Sequence, residues 1–205
     1  VAVSPGVELF FNLGAPYVRR DNQSISAKAQ NVVGSHLVGF RTRPVIVSQT
    51  GPVRVFAVRC KPEGLSAILP FQLGSAIHKV VSIDELWGPI GVDLEETLFD
   101  AGDDITRIRG VESCFRELLK RRRENSLETR LFSILRRERG GISISQLAEE
   151  TGVDYKRLER SFTKTLGVTP KFYARVLRYQ AAAELLLKST GAASLVDAGF
   201  SDQAH

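Results

Sequence analysis

Residues 142–187 read ISISQLAEETGVDYKRLERSFTKTLGVTPKFYARVLRYQAAAELLL, and their spacing is the most informative in the chain. Ser145 stands before the apolar Leu147, with two glutamates in the turn that follows. A helix is predicted to begin there, because serine caps helix N-termini and acidic side chains favour them. Gly152 can adopt the positive φ of a tight corner, and Asp154 can cap a following helix. The pattern predicts two short helices joined by a turn.

The second of these helices is predicted to bury one side. Leu158, Phe162 and Leu166 recur at intervals of four, which places them on one face of a helix. Packing that face against the first helix gives a helix-turn-helix, the motif whose second helix enters the major groove of DNA. The opposite face carries polar side chains, namely Lys156, Arg157, Glu159, Arg160, Thr163 and Lys164.

These polar side chains are the candidate DNA contacts. Arg160 is the best candidate base reader, because a guanidinium can bind guanine through two hydrogen bonds, and Glu159 can accept from the amino group of cytosine. Lys156, Arg157 and Lys164 suit a base or a phosphate. The alternative is a solvated face that touches no DNA. Their position on the second helix of a helix-turn-helix favours contact with double-stranded DNA.

Several motifs in this region resemble the DNA-binding domain of AraC/XylS transcription regulators. They are LAEETGV at 147–153, then Leu158, Arg160 and Phe162, then LGVTP at 166–170 and YARVLR at 173–178. The family has two helix-turn-helix units joined by a long helix, and residues 169–189 supply a joining helix with Pro170 in its first turn. The resemblance implies that residues 126–205 form an AraC-type DNA-binding domain.

The tail DAGFSDQAH, residues 197–205, resembles the turn and the opening of the second unit's recognition helix. The resemblance implies that Ser201, Asp202, Gln203 and His205 face DNA. The sequence stops at that point, so the second helix-turn-helix is expected to be truncated at its C-terminus. Only residues 191–195 separate the joining helix from DAGF, which is too short for the unit's first helix.

Charge is distributed unevenly along the chain. Residues 1–110 hold 11 basic and 11 acidic side chains, so of the 28 basic and 23 acidic side chains in all, 17 and 12 lie beyond residue 110. A local basic excess favours a polyanion partner for the second half. Cys60 and Cys114 form no CxxC pair, so we expect neither a disulfide nor a zinc site, and no cofactor. No signal peptide or membrane-spanning run is visible, which predicts a cytoplasmic protein.

The first half of the chain is predicted to contain several short strands. Residues 7–13, 32–40, 44–50 and 53–60 are β-branched or apolar runs between Gly and Pro residues, and the polar residues 19–30 read as a hairpin loop. Gly51 and Pro52 mark a turn that would pair the last two strands as a hairpin. A small β-barrel or curled sheet is expected, followed by a helix at Pro62, and the whole chain is predicted to be α+β.

The phrases FFNLG, PVRVFAVRCKPEG and IDELWG resemble the cupin-like sensor domains found in AraC-type regulators. The resemblance implies a regulatory and dimerisation domain over residues 1–125, with a small-molecule effector as a possible ligand. Strand alternation directs either Phe10 or Phe11 to the interior. A metal-dependent cupin enzyme needs closely spaced histidines, whereas His36 and His78 stand apart, so neither is expected to bind metal.

After residue 82 the apolar period approaches that of a helix. The third predicted helix could pack its apolar stripe on its own domain or against a twofold mate. A fourth helix is predicted to start at Ser126 and to end at Gly140 and Gly141. The apolar residues of the four predicted helices, in chain order, are Leu86, Trp87 and Ile90 after an N-cap at Asp84; Leu94, Leu98 and Phe99; Val111, Phe115, Leu118 and Leu119; and Leu127, Leu131, Ile134 and Leu135.

The sequence therefore predicts a sequence-specific transcription regulator that is not an enzyme. Double-stranded DNA is the expected partner, with RNA polymerase and a second copy of the chain as further possible partners. Two alternatives stay open, a cupin-fold enzyme and a protein-interaction module that carries a helix-turn-helix. No Ser/His/Asp or Cys/His arrangement and no phosphate-binding glycine loop supports the enzyme. Salt-dependent DNA binding distinguishes the regulator from both alternatives.

Overall fold

The computed structural model of the protein describes residues 6–21, 30–32, 34–42, 45–120 and 126–188. The fold is α+β, with antiparallel sheets in the N-terminal part and helices after them. The chain divides into two compact units, one formed by Gly6–Glu124 and one that begins at Asn125. Within the described ranges, no helix combines the length and the apolar character needed to cross a membrane.

Seven described strands form two antiparallel sheets in the first unit. One sheet has the order β6-β1-β4-β7 and the other the order β3-β2-β5, so these strands do not close the β-barrel that was one of the two predicted alternatives. The strands are β1 (Val7–Asn12), β2 (Tyr17–Asp21), β3 (Gln30–Val32), β4 (His36–Val38), β5 (Val45–Gln49), β6 (Val55–Cys60) and β7 (Val80–Ser82).

A bent ribbon connects the two sheets. β1 pairs with β6, and β2 pairs with β5, so the predicted hairpin between β5 and β6 is wrong. At the bend, Leu13 N donates to Arg54 O at 2.8 Å and Ala15 N donates to Pro52 O at 2.9 Å. A Cβ on Gly14 would lie 2.5 Å from Pro52 O, so the two connections can run this close only because residue 14 is glycine.

The predicted loop at residues 19–30 is also shorter than expected. β2 continues to Asp21, and β3 starts at Gln30, so both ends of the polar stretch belong to strands. Their pairing explains the difference, because Arg19 is opposite Gln30 in an antiparallel ladder. Residues 22–29 lie outside the described part of the chain.

Polar and aromatic side chains join the two sheets in the interior. Tyr17 OH lies 2.7 Å from His36 Nε2, and the Phe10 ring stacks on the imidazole with centroids 5.7 Å apart. Arg19 Nη2 donates to the backbone oxygen of His78 at 3.0 Å. Phe11 is fully buried, so of the two adjacent phenylalanines it is the one that enters the apolar core.

Eight α-helices and one 3-10 turn follow or interrupt the strands in the described chain. Helices α1 to α4 belong to the first unit, and α5 to α8 belong to the second. They are α1 (Pro62–Ser66), α2 (Ile83–Trp87), α3 (Pro89–Asp100), α4 (Asp104–Lys120), α5 (Ser126–Arg137), α6 (Ile144–Thr151), α7 (Tyr155–Leu166) and α8 (Pro170–Lys188), with the 3-10 turn at Leu73–Ala76.

The start of α2 differs from the prediction. Ser82, not Asp84, is the N-cap, and Glu85 Oε2 accepts from Ser82 N at 3.1 Å. In a capping box, the glutamate at the third helical position accepts a hydrogen bond from the backbone N–H of the serine N-cap. Asp84 has no glutamate or glutamine three residues later. Gly88 has a φ of 58° and ends α2, so Ile90 belongs to α3 instead.

Helices α3 and α4 pack as an antiparallel pair around a buried arginine. The guanidinium of Arg107 donates from Nε to Leu98 O at 3.1 Å and also donates to Ala101 O. It forms an ion pair with Asp104 at 2.9 Å. These bonds satisfy carbonyl groups at the C-terminus of α3, where a helix leaves them unpaired. Leu98 is buried as predicted, whereas Phe99 is 62% exposed.

Helix α4 turns its predicted apolar stripe mainly towards its own unit. Val111 and Leu118 are buried, and Phe115 meets Trp87 in an edge-to-face contact with centroids 5.9 Å apart. Leu119 is exposed, so it does not belong to this inward stripe. The alternative in which α4 packs on its own domain therefore holds for most of the predicted set.

We predict that His36 makes the stability of the protein sensitive to acid. The pKa of its imidazole is lowered to about 4, mainly by burial and also by the nearby guanidinium charges of Arg41 and Arg19. Unfolded histidine binds a proton near pH 6.5, while folded His36 stays neutral to about pH 4. The free energy of unfolding should therefore fall by roughly 2 kcal/mol between about pH 7 and about pH 5.

Urea unfolding of three proteins at these two pH values checks this prediction. His36→Asn should remove most of the decrease between the two pH values. His78→Asn is the matched control, since His78 has a φ of 61° that asparagine tolerates, and it should keep the decrease of the wild type. An unchanged decrease in the His36 variant would contradict the assignment.

Candidate nucleic-acid interface

The first helix of the predicted pair begins earlier than Ser145. Ser143 is the N-cap of α6, and its hydroxyl accepts from Gln146 N at 3.1 Å. Gln146 Oε1 in turn accepts from Ser143 N at 3.0 Å. This reciprocal pair requires a Gln or Glu three residues after the cap, which Ser143 has and Ser145 does not. The predicted cap at Ser145 is therefore wrong by two residues.

The turn and the start of the second helix agree with the prediction. Gly152 has a φ of 67°, in the left-handed region, and ends α6. Asp154 Oδ1 accepts from Arg157 N at 3.0 Å and caps α7. Val153 between them is buried, which holds the turn against the core. These local groups fix the direction in which α7 leaves α6.

One face of α7 is completely buried, as the spacing of four predicted. Leu158, Phe162 and Leu166 have no exposed surface. The Phe162 ring lies 4.4 Å from the Phe132 ring of α5 and 5.9 Å from the Tyr173 ring of α8, between centroids. Three helices thus share one aromatic core, and α7 is held from behind by both neighbours.

Helix α8 is fixed to the turn that follows α5. It begins at Pro170, one residue after the predicted start at Thr169, and Thr169 Oγ1 accepts from Phe172 N at 3.2 Å. Arg178 Nη1 donates to Gly140 O at 2.7 Å. Gly140 has a φ of 75°, and a Cβ there would lie 2.1 Å from the Ala174 carbonyl oxygen, so this close approach requires glycine.

The outward face of α7 carries most of the predicted DNA contacts. Lys156, Arg157, Arg160 and Lys164 are exposed, and Glu159 is half-buried. Within the residues that the structure describes, none of these four cations forms an ion pair. The face therefore carries four exposed cations and one carboxylate, Glu159, and a basic excess of this kind favours phosphate binding.

Basic side chains on α5 contrast with those on α7. Arg137 forms ion pairs with Glu138 at 2.8 Å and with Glu150 at 3.3 Å, and Arg130 Nη2 donates to Glu150 O at 2.9 Å. These arginines bind the unit's own groups, so they tie α5 to α6. Basic composition alone could not separate them from the cations of α7.

Sequence reasoning missed three exposed aromatic or basic side chains, one on α7 and two on α8. Tyr155 is the first residue of α7 and is 53% exposed. Tyr155 falls in the first turn of α7, three residues before the buried Leu158, so the spacing alone did not predict its exposure. Lys171 and Arg175 are exposed on α8, with the Arg175 guanidinium 4.9 Å from the centroid of the Phe172 ring.

The remaining predicted contacts, Ser201, Asp202, Gln203 and His205, lie outside the described residues. In the described part of the chain, no group of three or more His, Cys, Asp or Glu side chains is arranged to hold a metal ion. Cys60 and Cys114 are free thiols, and burial raises the pKa of Cys60 to about 12. A thiol with so high a pKa is a poor nucleophile at neutral pH.

Residues 1–82 match the model of one protein family, described as a domain of unknown function, DUF6597. The match ends at Ser82, which is also the last residue of β7, so it covers the seven described strands of the first unit. No curated protein and no solved structure matches the chain significantly.

We predict that Leu158→Ala destabilises the second unit by ~2 to 5 kcal/mol, since it removes a fully buried side chain from the α7 face. Thermal and urea unfolding of the full chain measures the change. Leu186→Ala is the control, because Leu186 is exposed on α8, and it should cost less than ~0.5 kcal/mol. An equal loss of stability in the two variants would show that the Leu158 face of α7 is not part of the core of the second unit.

Proposed function

We propose that the protein is a sequence-specific, DNA-binding transcription regulator of the AraC type. The observation that carries the proposal is that α7 is buried on one side and has, on the other, four exposed cations that form no ion pair with any residue of the described ranges. α6, the turn at Gly152 and α7 then act as a helix-turn-helix, with α7 as its recognition helix. The protein acts by binding rather than by catalysis, in the cytoplasm.

The N-terminal unit also supports this proposal. The family model that matches residues 1–82 describes a domain found at the N-terminus of AraC-type regulators. The motifs of residues 147–178 resemble the DNA-binding domain of the same regulators. In this proposal the first unit is a cupin-like sensor that binds a small-molecule effector, and the second unit contacts DNA and RNA polymerase.

The dimensions of α7 suit the major groove. An α-helix with side chains is about 10 to 12 Å across, and the groove of B-DNA is about 12 Å wide. With the apolar face turned to the protein, Arg160 and Glu159 are presented to base edges, while Lys164 and Arg157 reach phosphates on the groove walls. Direct base contacts give sequence preference, and phosphate contacts give affinity that depends on salt.

A second copy of the chain is a further proposed partner, through the outward stripe of α4. This stripe consists of Ile105, Ile108 and Leu119, and Ile105 is 63% exposed. The helix carries Asp104 in its first turn and Lys120 in its last turn. Two antiparallel copies would bury this stripe against each other. A twofold dimer would present two recognition helices to two half-sites.

We predict that Arg160→Ala weakens binding to the preferred site by ~1 to 3 kcal/mol and relaxes the preference at one base pair, because a two-bonded base contact is lost. The preferred site is first selected from a random DNA pool with the wild-type chain. Lys164→Ala should instead weaken binding to all sequences and flatten the salt dependence.

Arg137→Ala is the matched control for charge, since Arg137 is exposed but already paired with Glu138 and Glu150. It should preserve the base preference of the wild type. Fluorescence anisotropy at several salt concentrations measures all three variants. If the Arg160 and Lys164 variants bind like the wild type, α7 does not contact DNA, and a wild-type protein that binds no DNA contradicts the whole proposal.

We predict that Ile108→Glu converts a dimer into a monomer, because a charge replaces an apolar contact in the α4 stripe. Sedimentation of the full chain across a concentration series measures the mass. Ser113→Glu adds the same charge on α4 away from the stripe, at an exposed position, and should leave the dimer intact. A wild-type chain that is monomeric at high micromolar concentration contradicts the dimer but not DNA binding.

A further inference from the structure

A buried carboxylate lies directly behind the recognition helix. Glu128, in the first turn of α5, is 9% exposed. Its Oε1 accepts a hydrogen bond from Ser161 Oγ of α7 at 3.1 Å. Ser161 is itself 6% exposed and lies on the inward face of α7, next to Phe162. The bond joins two residues that are 33 positions apart in the chain.

Burial of this carboxylate is unfavourable unless something offsets it. Transfer of an ionised side chain out of water carries a large desolvation penalty, and one neutral hydroxyl compensates for only part of it. The N-terminus of α5 also favours a negative charge at Glu128. That effect would act equally on a side chain that stayed at the surface. The hydrogen bond from Ser161 explains why the Glu128 side chain points inward, because this bond can form only if the carboxylate faces α7.

The rest of the inward face does not fix the rotation of α7 in the same way. Leu158 and Phe162 make apolar contacts, which have little directionality, so a helix held by them alone can roll slightly in its groove. A hydrogen bond has a narrow range of distance and angle. Ser161 follows Arg160 directly, so a roll that changes the bond to Glu128 also changes the direction of the Arg160 side chain.

A small roll is enough to affect base readout. Side-chain tips lie about 5 to 6 Å from the helix axis, so a roll of about 10° moves them by roughly 1 Å. Functional contacts tolerate displacements of only about 0.5 Å. We infer that Glu128 is a positioning residue, whose bond to Ser161 sets the rotation of α7 and thereby the angle at which Arg160 meets a base. This inference rests on the proposed function.

A purely structural role gives a different result from a positioning role. Loss of stability lowers the amount of folded protein, which affects binding to the preferred site and to random DNA alike. A change in the rotation of α7 weakens base contacts more than phosphate contacts, because base readout has the stricter geometry. The ratio of the two affinities therefore separates the roles.

The experiment measures, for each full-length variant, the melting temperature and the affinity for the selected site and for random DNA. Ser161→Ala should lower the affinity ratio about tenfold, as expected for one misaligned base contact. Glu128→Gln keeps an oxygen that accepts from Ser161 and should stay within about twofold of the wild-type ratio. Ser133→Ala is the matched control, because this exposed hydroxyl donates to Arg130 O of its own helix, and it should leave the ratio unchanged.

The double variant Glu128→Leu with Ser161→Ala decides between the two roles. It removes both polar partners, so it should regain the stability that Ser161→Ala alone loses. The positioning role requires that its affinity ratio stays about tenfold below that of the wild type. A ratio restored together with the melting temperature would overturn the inference. A wild-type protein that binds DNA, with equal ratios in all variants, would also overturn it and leave the proposed function intact.

Discussion

The contact of three aromatic rings from three helices is the interaction on which the second unit depends. Phe132 of α5, Phe162 of α7 and Tyr173 of α8 meet with centroids 4.4 to 5.9 Å apart, and all three are fully buried. Such rings bury large areas and gain from tilted and edge-to-face contact. Because Phe162 can enter this core from only one side of α7, the core also determines which side of α7 remains in water. The exposed cations of α7 are thus a consequence of the packing behind them.

The first unit depends on a different constraint, which is the close passage of two chain connections at one corner. The connection between β1 and β2 hydrogen-bonds to the connection between β5 and β6, and Gly14 permits the approach. A single ribbon therefore supplies central and edge strands to both sheets. The Tyr17–His36 bond then joins the sheets from inside. Neither sheet could be rearranged without breaking the corner, the interior bond or both.

Local signals in the sequence were sufficient for most of α5 to α8, whereas contacts between distant residues explain the errors in strand pairing. Gly152, Asp154 and Pro170 act within one turn of their own position, so their roles follow from spacing alone. The pairing of β5 with β2 instead of β6 joins residues that are 24 to 32 positions apart, which no local pattern encodes. Phe99 shows a further limit, because an apolar residue at a helical interval can still face water when the helix has a narrow buried side.

For the candidate site, the sequence predicted which residues face outward but not which charges are available. Arg137 and Arg160 are both exposed arginines on neighbouring helices, yet among the described residues Arg137 is held by two glutamates and Arg160 by none. The difference arises because Glu150, near the end of α6, lies close enough to α5 to bind Arg137. A cation already paired gains less from a phosphate, since it must first lose its carboxylate partner. The distribution of ion pairs, more than the number of basic residues, therefore determines which cations are available for the contacts with DNA that we propose.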